Sequence, residues 1–330
     1  MKRIVMGLLA ATLSVSAAYS AELKPAVVYD FGGKFDKSFN EAAYNGAAKY
    51  KADHGTSYRE FEIQNDAQRE QALRKFAQDG NSPVVIAGFS AVSAIEKVAK
   101  EFPDTKFVII DAVVEAPNVR SVVFKEEEGG YLVGMLAAMA SKTGTVSFVG
   151  GMDVPLIRRF YCGYAGGAKA GKEGTKVLNN WTGDTPAAWN DPAKGSEITK
   201  AQIDQGSDVI YHAAGGTGIG VLQAAADAGK LGIGVDSNQN GLHPGHVLTS
   251  MVKGVDTAVY KAFEDVAADK FTAGIVQMGL KDDGVSYAMD ENNAKLITPE
   301  MKAAVEAAKA DIISGKIKVH DYTTDNKCPY

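Results

Sequence analysis

The chain predicts an α/β protein built from two doubly wound units, and three observations carry that prediction. Short, continuous apolar runs such as residues 83–89 (PVVIAGF) and 106–112 (KFVIIDA) alternate with amphipathic stretches of helical length. Strands of a parallel sheet covered on both faces read this way. The alternation runs through one complete series and starts again near Ser121. Some 310 residues remain once the first 20 are set aside, more than one hydrophobic core usually holds, so two domains are expected.

In the first series, strands are predicted over residues 26–31, 58–63, 83–89 and 106–112, with helices over 39–54, 67–79 and 90–102. Gly55 and Gly80 stand where the first two helices should stop. In the second series the strands are 119–125, 144–150, 176–181, 208–213 and 231–236, with helices 126–142, 155–171 and 218–229 between them. Pro155 and Pro192 fall where a first helical turn tolerates proline. Residues 247–253 form a further strand, followed by a helix over 255–269 and a loosely alternating region over 276–288. A charged helix over 299–314 and a short strand over 316–322 complete the chain. These late elements are surplus to two α/β series, so the chain is expected to cross back and forth between two lobes.

Lys2 and Arg3, the apolar stretch 4–18 and the small-x-small site Ala18-Tyr19-Ser20 predict a cleavable secretion signal over residues 1–20. The apolar stretch is shorter than the roughly 20 residues a membrane span requires. No cysteine stands at the cleavage site for lipid attachment, so a soluble protein of a bacterial periplasm is expected. The formal charge is −5, and −7 without Lys2 and Arg3. A mildly acidic chain without a basic stripe argues against nucleic acid as a partner. Cys162 and Cys328 are the only cysteines; an even count in an oxidising compartment predicts a disulfide tying the C-terminal tail to the second series. The spacing of cysteines and histidines offers no zinc site, and no cofactor is called for.

The densest signal lies behind the first strand, in DFGGKFDKSFNEAAYNG over residues 30–46. Gly32 and Gly33 allow a sharp turn. Ser38 and Glu41 have the spacing of a capping box, which puts Phe39 and Asn40 in a first helical turn. Ligands of open parallel sheets sit beyond the carboxyl ends of the strands. Asp36, Ser38, Phe39, Asn40, Asp111, Trp189, Gly215, Gly216, Asp236 and Lys253 all fall in such positions or in the connections beside them. Asp36 and Ser38 either cap a helix or touch a ligand. Phe39 is either a core aromatic or a stacking face, and Asp111 and Asp236 either cap turns or accept hydrogen bonds from a bound molecule. The run AAGGTGIG over 213–220 lacks the Gly-Lys-Ser/Thr ending of a phosphate loop. It is late for a dinucleotide fingerprint, although Asp236 lies about 20 residues beyond Gly216. Its glycines are expected to let backbone N–H groups approach a neutral ligand. Among these residues no nucleophile stands out; the set reads as grip rather than chemistry.

The segments FDKSFNEAAYNG, VVFKEEEGGYLVGMLAA, FVGGMDVPLIRRFYCGYAGGAKA, WNDPAKG, HAAGGTGIGVLQAA, IGVDSNQN and LTSMVKGVDTAVY resemble, in order, the basic-membrane-protein family of periplasmic binding proteins, the group similar to the purine nucleoside receptor A of ABC importers. The resemblance implies a type I periplasmic-binding fold: two doubly wound, three-layer lobes joined by a multi-stranded hinge. The first lobe would comprise residues 21–120 with about 254–285, and the second 121–253 with about 286–330. It implies a purine ring between Phe39 and Trp189, with Trp181 as an alternative second face. Asn40 and Asp111 would read the base, and Gly215 or Gly216, Asp236 and Lys253 the sugar hydroxyls, with Lys253 keeping Asp236 ionised. Many members carry two acids before the lysine, as in DDKSFN, where this chain has Phe35-Asp36-Lys37.

The expected function is non-enzymatic capture of a nucleoside for an ABC importer by a monomeric protein whose partners are the ligand and inner-membrane permease subunits. The rivals are a binder of another flat molecule, such as a flavin or a free base, a sensor lobe, and a nucleoside hydrolase. The last wants an aspartate cluster close in sequence, which this chain does not show.

Overall fold

The computed structural model describes residues 23–330; the expected secretion signal lies outside them. The first sheet contains β1 (Ala26–Tyr29), β2 (Arg59–Glu62), β3 (Val84–Ala87), β4 (Phe107–Ile110) and β5 (Val119–Phe124), interleaved with helices α1 (Phe39–His54), α2 (Ala67–Gln78) and α3 (Val92–Glu101). The chain then crosses to the second sheet: α4 (Glu126–Ala140), β6 (Thr145–Met152), α5 (Pro155–Gly171), β7 (Lys176–Gly183), α6 (Pro192–Asp204), β8 (Val209–Ala213), α7 (Gly218–Asp227), β9 (Leu231–Asp236) and β10 (Val247–Lys253). It returns with α8 (Val255–Ala267) and β11 (Gly274–Met278), then ends with β12 (Val285–Tyr287) and α9 (Pro299–Ile313).

The two sheets have orders β2-β1-β3-β4-β5-β11 and β7-β6-β8-β9-β10-β12, so each winds outward in the same sense from its first strand. All pairings in the first are parallel; in the second only β12 runs antiparallel, against β10. These are two α/β lobes with parallel-dominated sheets. The strands read as continuous apolar runs because helices cover both faces: β1, β3 and β4 are buried along their whole length.

Two sequence expectations are corrected. The strand at 119–124, placed at the head of the second series, belongs to the first sheet, where it pairs with β4 on one side and β11 on the other. Residues 316–322 form no strand; the segment leads into a single 3-10 turn at Tyr322–Thr324. Its alternation of isoleucine and valine with charged residues imitates strand spacing, but the segment has no partner edge to join. The tail is instead fixed by the Cys162–Cys328 disulfide, which spans 166 positions.

Three segments cross between the lobes, after β5, after β10 and between β11 and β12, and the backbone ties them together. Lys125 N–H donates to Met278 O at 2.9 Å and Gly254 N–H to Gly284 O at 2.8 Å. Glu128 Oε2 accepts from Leu280 N–H at 2.9 Å. In each sheet the loops after the first and third strands diverge at a topological switch point, and the crevice there is where such folds place ligands.

Candidate functional site

A cleft with about 580 Å³ of space, part of it continuous with solvent, lies between the lobes at these switch points. The first lobe lines it with Asp30, Phe31, Asp36, Phe39, Asn40, Gly88, Phe89 and Asp111; the second lobe supplies Trp189, Ala213, Gly215, Asp236, Lys253 and the face of α5 at Leu156, Ile157 and Phe160. The walls are mostly aromatic and aliphatic, with polar groups gathered at particular points, as suits a flat molecule with a polar rim.

Around α1 the expected capping box is replaced by another arrangement. Ser38 is the N-cap but its hydroxyl caps nothing in its own helix. The Asp36 carboxylate does that work, accepting from the N–H groups of Ser38 (2.8 Å), Asn40 (3.0 Å) and Glu41 (3.1 Å). Helix N-terminal donors lack partners within the helix, so this carboxylate satisfies them and meets the positive end of the helix dipole. Burial raises its pKa to about 6 against the three hydrogen bonds that lower it. Ser38 is fully buried and turns its Oγ across the cleft to Asp236 Oδ2, 2.6 Å away.

Asn40 lines the cleft but its amide is committed. Oδ1 accepts from Asp30 N–H at 3.0 Å, and Nδ2 donates to the carbonyls of Asp30 and Phe31. It therefore holds the loop after β1 with its amide protons and one lone pair of Oδ1, while still lining the cleft. A carboxamide in a first helical turn looks the same in sequence whichever way it points.

Lys253 is the centre of the polar end. Its side chain is 1% exposed and its Nζ lies 2.7 Å from Asp111 Oδ2 and 2.9 Å from Glu126 Oε1; the former is a directed hydrogen bond. The rings of Phe39, Phe124 and Phe160 surround the ammonium at 5.0–5.4 Å, close enough for cation–π attraction. Burial pulls the lysine's pKa down, but Asp111, Glu126 and Asp236 outweigh it and hold the ammonium charged. Asp236 feels that charge from a distance. Burial raises its carboxyl to about 6, while Lys253 and the Ser38 hydroxyl oppose the rise, so it is ionised at neutral pH. Lys253 thus acts on Asp236 through its charge, while its direct partners are Asp111 and Glu126. Asp111 joins this polar end and leaves one oxygen, Oδ1, buried without a partner.

Backbone geometry supports a constrained site. Asp111 and Asp236 adopt left-handed conformations, φ 71° and 62°. Such conformations cost about 1–3 kcal/mol outside glycine and persist where the surroundings enforce them.

Of the expected residues, the structure brings Asp36, Phe39, Asn40, Asp111, Trp189, Gly215, Asp236 and Lys253 to one cavity. Ser38 and Gly216 do not line it. Of the glycine run, Gly215 (φ 56°) faces the cleft, whereas Gly218 makes room for the His212 ring and Gly220 for Pro192 O. Trp181 is excluded as a wall: it packs against Phe148 and Tyr161 on the far side of β6. Trp189 lies over Gly151, where a Cβ would come within 2.1 Å of the indole, and meets Phe89 edge-on at 6.4 Å.

Asp30, Phe31, Phe160 and Glu126 join the site without having been singled out in the sequence, and Phe89, at the end of the third strand, lines it too. Phe31 and Phe89 each stand at a strand's carboxyl end, a detectable position. Glu126 opens a run of three acids and reads as a solvated helix terminus; only folding buries it completely. Arg159 Nη1 meets its other oxygen at 3.0 Å and the carbonyl of Phe124 at 2.9 Å, while Nε binds Asp321 in the disulfide-tethered tail.

Comparison with known proteins fits this geometry. The chain is 36% identical over 327 residues to the ABC transporter nucleoside-binding protein BmpA of Lactococcus lactis subsp. cremoris, covering 92% of this chain and 91% of that one. It is 33% identical over 303 residues to an uncharacterized lipoprotein of Pyrococcus furiosus, covering 86% and 74% of the two chains. The crystal structure of an ABC transporter system solute-binding protein from Aeropyrum pernix K1 superposes with a TM-score of 0.83 at 29% identity, over 91% of this chain and 93% of that one. Residues 24–323 match the Bmp family, described as ABC transporter substrate-binding protein PnrA-like. The chain belongs to this family of transporter substrate-binding proteins, whose work is binding and not catalysis.

Proposed function

We propose that the protein captures a purine nucleoside in the interlobe cleft and presents it to the permease of an ABC importer. The observation that carries this reading is one cavity lined both by aromatic side chains, Phe39 and Trp189 among them, and by a buried ionic group of Asp111, Asp236 and Lys253; we take the two rings as the faces that hold the base. A base stacked on an aromatic side chain gains about 1–3 kcal/mol with little discrimination between rings. Ribose hydroxyls would donate to Asp236 and to the unpartnered Asp111 oxygen, and accept from Lys253; charge-assisted hydrogen bonds of this kind are about twice as strong as neutral ones. A free base would leave those groups unpaired, at about 1–3 kcal/mol each. With Asn40 committed to the loop, the base's polar edge falls to Asp30, which Arg69 holds as a buried ion pair.

The nucleoside-binding relative adds support, as do the lipoprotein relatives for an extracytoplasmic location. We propose release into the periplasm as a soluble monomer after cleavage near Ser20. Inosine and guanosine should raise the melting temperature, while glucose, leucine and riboflavin should not. Equal stabilisation by riboflavin or glucose would sink the proposal. Trp189→Ala should weaken inosine binding by about 1–3 kcal/mol in calorimetry, whereas Trp181→Phe should leave the Kd within about twofold.

A further inference from the structure

The C-terminal tail lies along α5, a helix that also walls the cleft. Leu156, Ile157 and Phe160 line the cavity, while Arg159, Cys162 and Gly166, three and then four residues apart, share another stripe of the same helix. The tail follows that stripe. Asp321 and Thr323 meet Arg159, Cys328 is bonded to Cys162, and the Tyr330 ring lies against Gly166, where a Cβ would come within 2.7 Å of it. Most of the tail from Thr323 onward is exposed, so the disulfide and these few contacts hold it. A recess beside the cleft is lined by Asp321 and Thr323 together with Arg159, Glu126 and Asp111, and Asp111 faces the cleft as well.

Arg159 carries this contact inward. The tail holds two of its three guanidinium nitrogens: Nε donates to Asp321 Oδ1 at 2.9 Å and Nη2 to Thr323 Oγ1 at 2.7 Å. The third, Nη1, donates to Glu126 Oε2 and to Phe124 O. Glu126 is fully buried, and its other oxygen stands 2.9 Å from the Lys253 ammonium. Asp321 is itself fixed, since its Oδ1 accepts from the N–H and the hydroxyl of Thr323 at 2.9 and 2.8 Å. Glu127 offers the guanidinium another carboxylate: its Oε2, buried and without a hydrogen-bond partner, lies 3.7 Å from Arg159 Nε. Without the tail's acceptors the arginine would turn to Glu127. Glu126, released from it, would then draw the ammonium away from Asp111. Every group from Asp321 to Glu126 and Lys253 belongs to the second lobe or to the crossing segment that enters it, so this line of contacts does not depend on whether the cleft is open or shut.

We propose that Asp321 and Thr323 are positioning residues for the ligand site: through Arg159 and Glu126 they set where Lys253 holds its charge, and the Cys162–Cys328 disulfide keeps them in place. The proposal rests on the reading that the bound molecule meets Lys253, and not on which molecule that is.

Asp321→Asn keeps the size of the side chain and removes its charge. Calorimetry should show inosine affinity about three- to tenfold lower, the usual range for a residue that acts on a site through others, and Asp321→Glu should recover most of it. Cys328→Ser should give a smaller loss in the same direction. The double variant should bind no more weakly than Asp321→Asn alone, because both act by one route. NMR reads the lysine without any ligand: the ε-methylene resonance of Lys253, assigned from its absence in Lys253→Arg, should move in Asp321→Asn. A tail that merely stabilises the fold would lower the melting temperature and leave that resonance in place. Thr323→Val, an exposed position, serves if Asp321→Asn fails to fold. A Lys253 resonance that stays in place in the folded variant overturns the proposal, whatever the affinity does. A shifted resonance, with no inosine bound even by wild type, supports the positioning role and counts against the nucleoside reading.

Discussion

The two lobes share one strand order yet hold their halves of the site by different means. The outer core of the first lobe is almost wholly aliphatic, with Val28, Ile86, Ile109 and Leu73 at its centre. The second lobe centres on aromatic rings, Phe148 against Tyr164, Tyr211 and Trp181, and buries His212, Gln202 and Ser147 as well. Helix pairing differs likewise. The α1–α8 pair meets at one glycine, Gly46, whereas α4 and α5 approach through Gly130, Gly134, Gly163, Gly167 and Gly171. A Cβ on Gly134 or Gly167 would fall 2.1 or 1.9 Å from a backbone oxygen of the facing helix. That approach sets Glu126, at the start of α4, beside Arg159 of α5 and hence beside Lys253. One strand order thus supports two interiors of different make-up, and both lobes bring buried charge to the cleft, Asp111 from the first and Asp236 and Lys253 from the second.

The largest effect should come from removing the charge that joins the halves. Lys253→Met leaves Asp111, Glu126 and Asp236 facing one another in a dry site, and breaking a buried pair in this way costs about 3–5 kcal/mol. Denaturant unfolding at neutral pH measures it. A loss below about 1 kcal/mol would mean that the carboxylates are neutral there, and the ionic account of the site would fail. Next, Gly167→Val should force α4 and α5 apart and cost about 3 kcal/mol, an overpacking penalty at the upper end of the usual range. Ile86→Val in the aliphatic lobe should cost about 0.5–1.5 kcal/mol. Equal losses would erase the contrast between the lobes.

The smallest effect sharpens the comparison through pH. Burial raises Glu127 from 4.5 to about 8 and Asp36 and Asp236 from 3.8 to about 6. The folded state therefore holds protons that the unfolded chain has released, and the associated stability is lost as pH rises through 6 and 8. His212 runs the other way: burial lowers it from 6.5 to about 4, so its contribution is lost as pH falls through that window. Above pH 6.5 the histidine is neutral in both states and Glu127 dominates. Stability should decline from pH 6.5 to about 9, and Glu127→Gln should flatten that limb and raise the melting temperature at pH 9 by about 2–4 °C. An unchanged slope in that variant would place the proton elsewhere.

Much of this was legible in the residues themselves. Continuous apolar strands between capped helices dictate a covered parallel sheet, and two such series exceed one core. Loops behind strands hold Phe39, Asp111, Trp189 and Asp236 near a crevice because the handedness of the crossover leaves them nowhere else to go. Local chemistry could not say which way a polar group turns. Ser38 and Asp36 both suit a cap, and only the opposite lobe makes the serine reach outward. Asn40 bonds the backbone of Asp30 and Phe31 within its own loop, whereas Lys253 meets Asp111 and Glu126, which are distant from it in the chain. Secondary structure follows from neighbours along the chain, which a sequence displays. The partner of a buried charge follows from which surfaces close on each other, and that was decided only when the two lobes met.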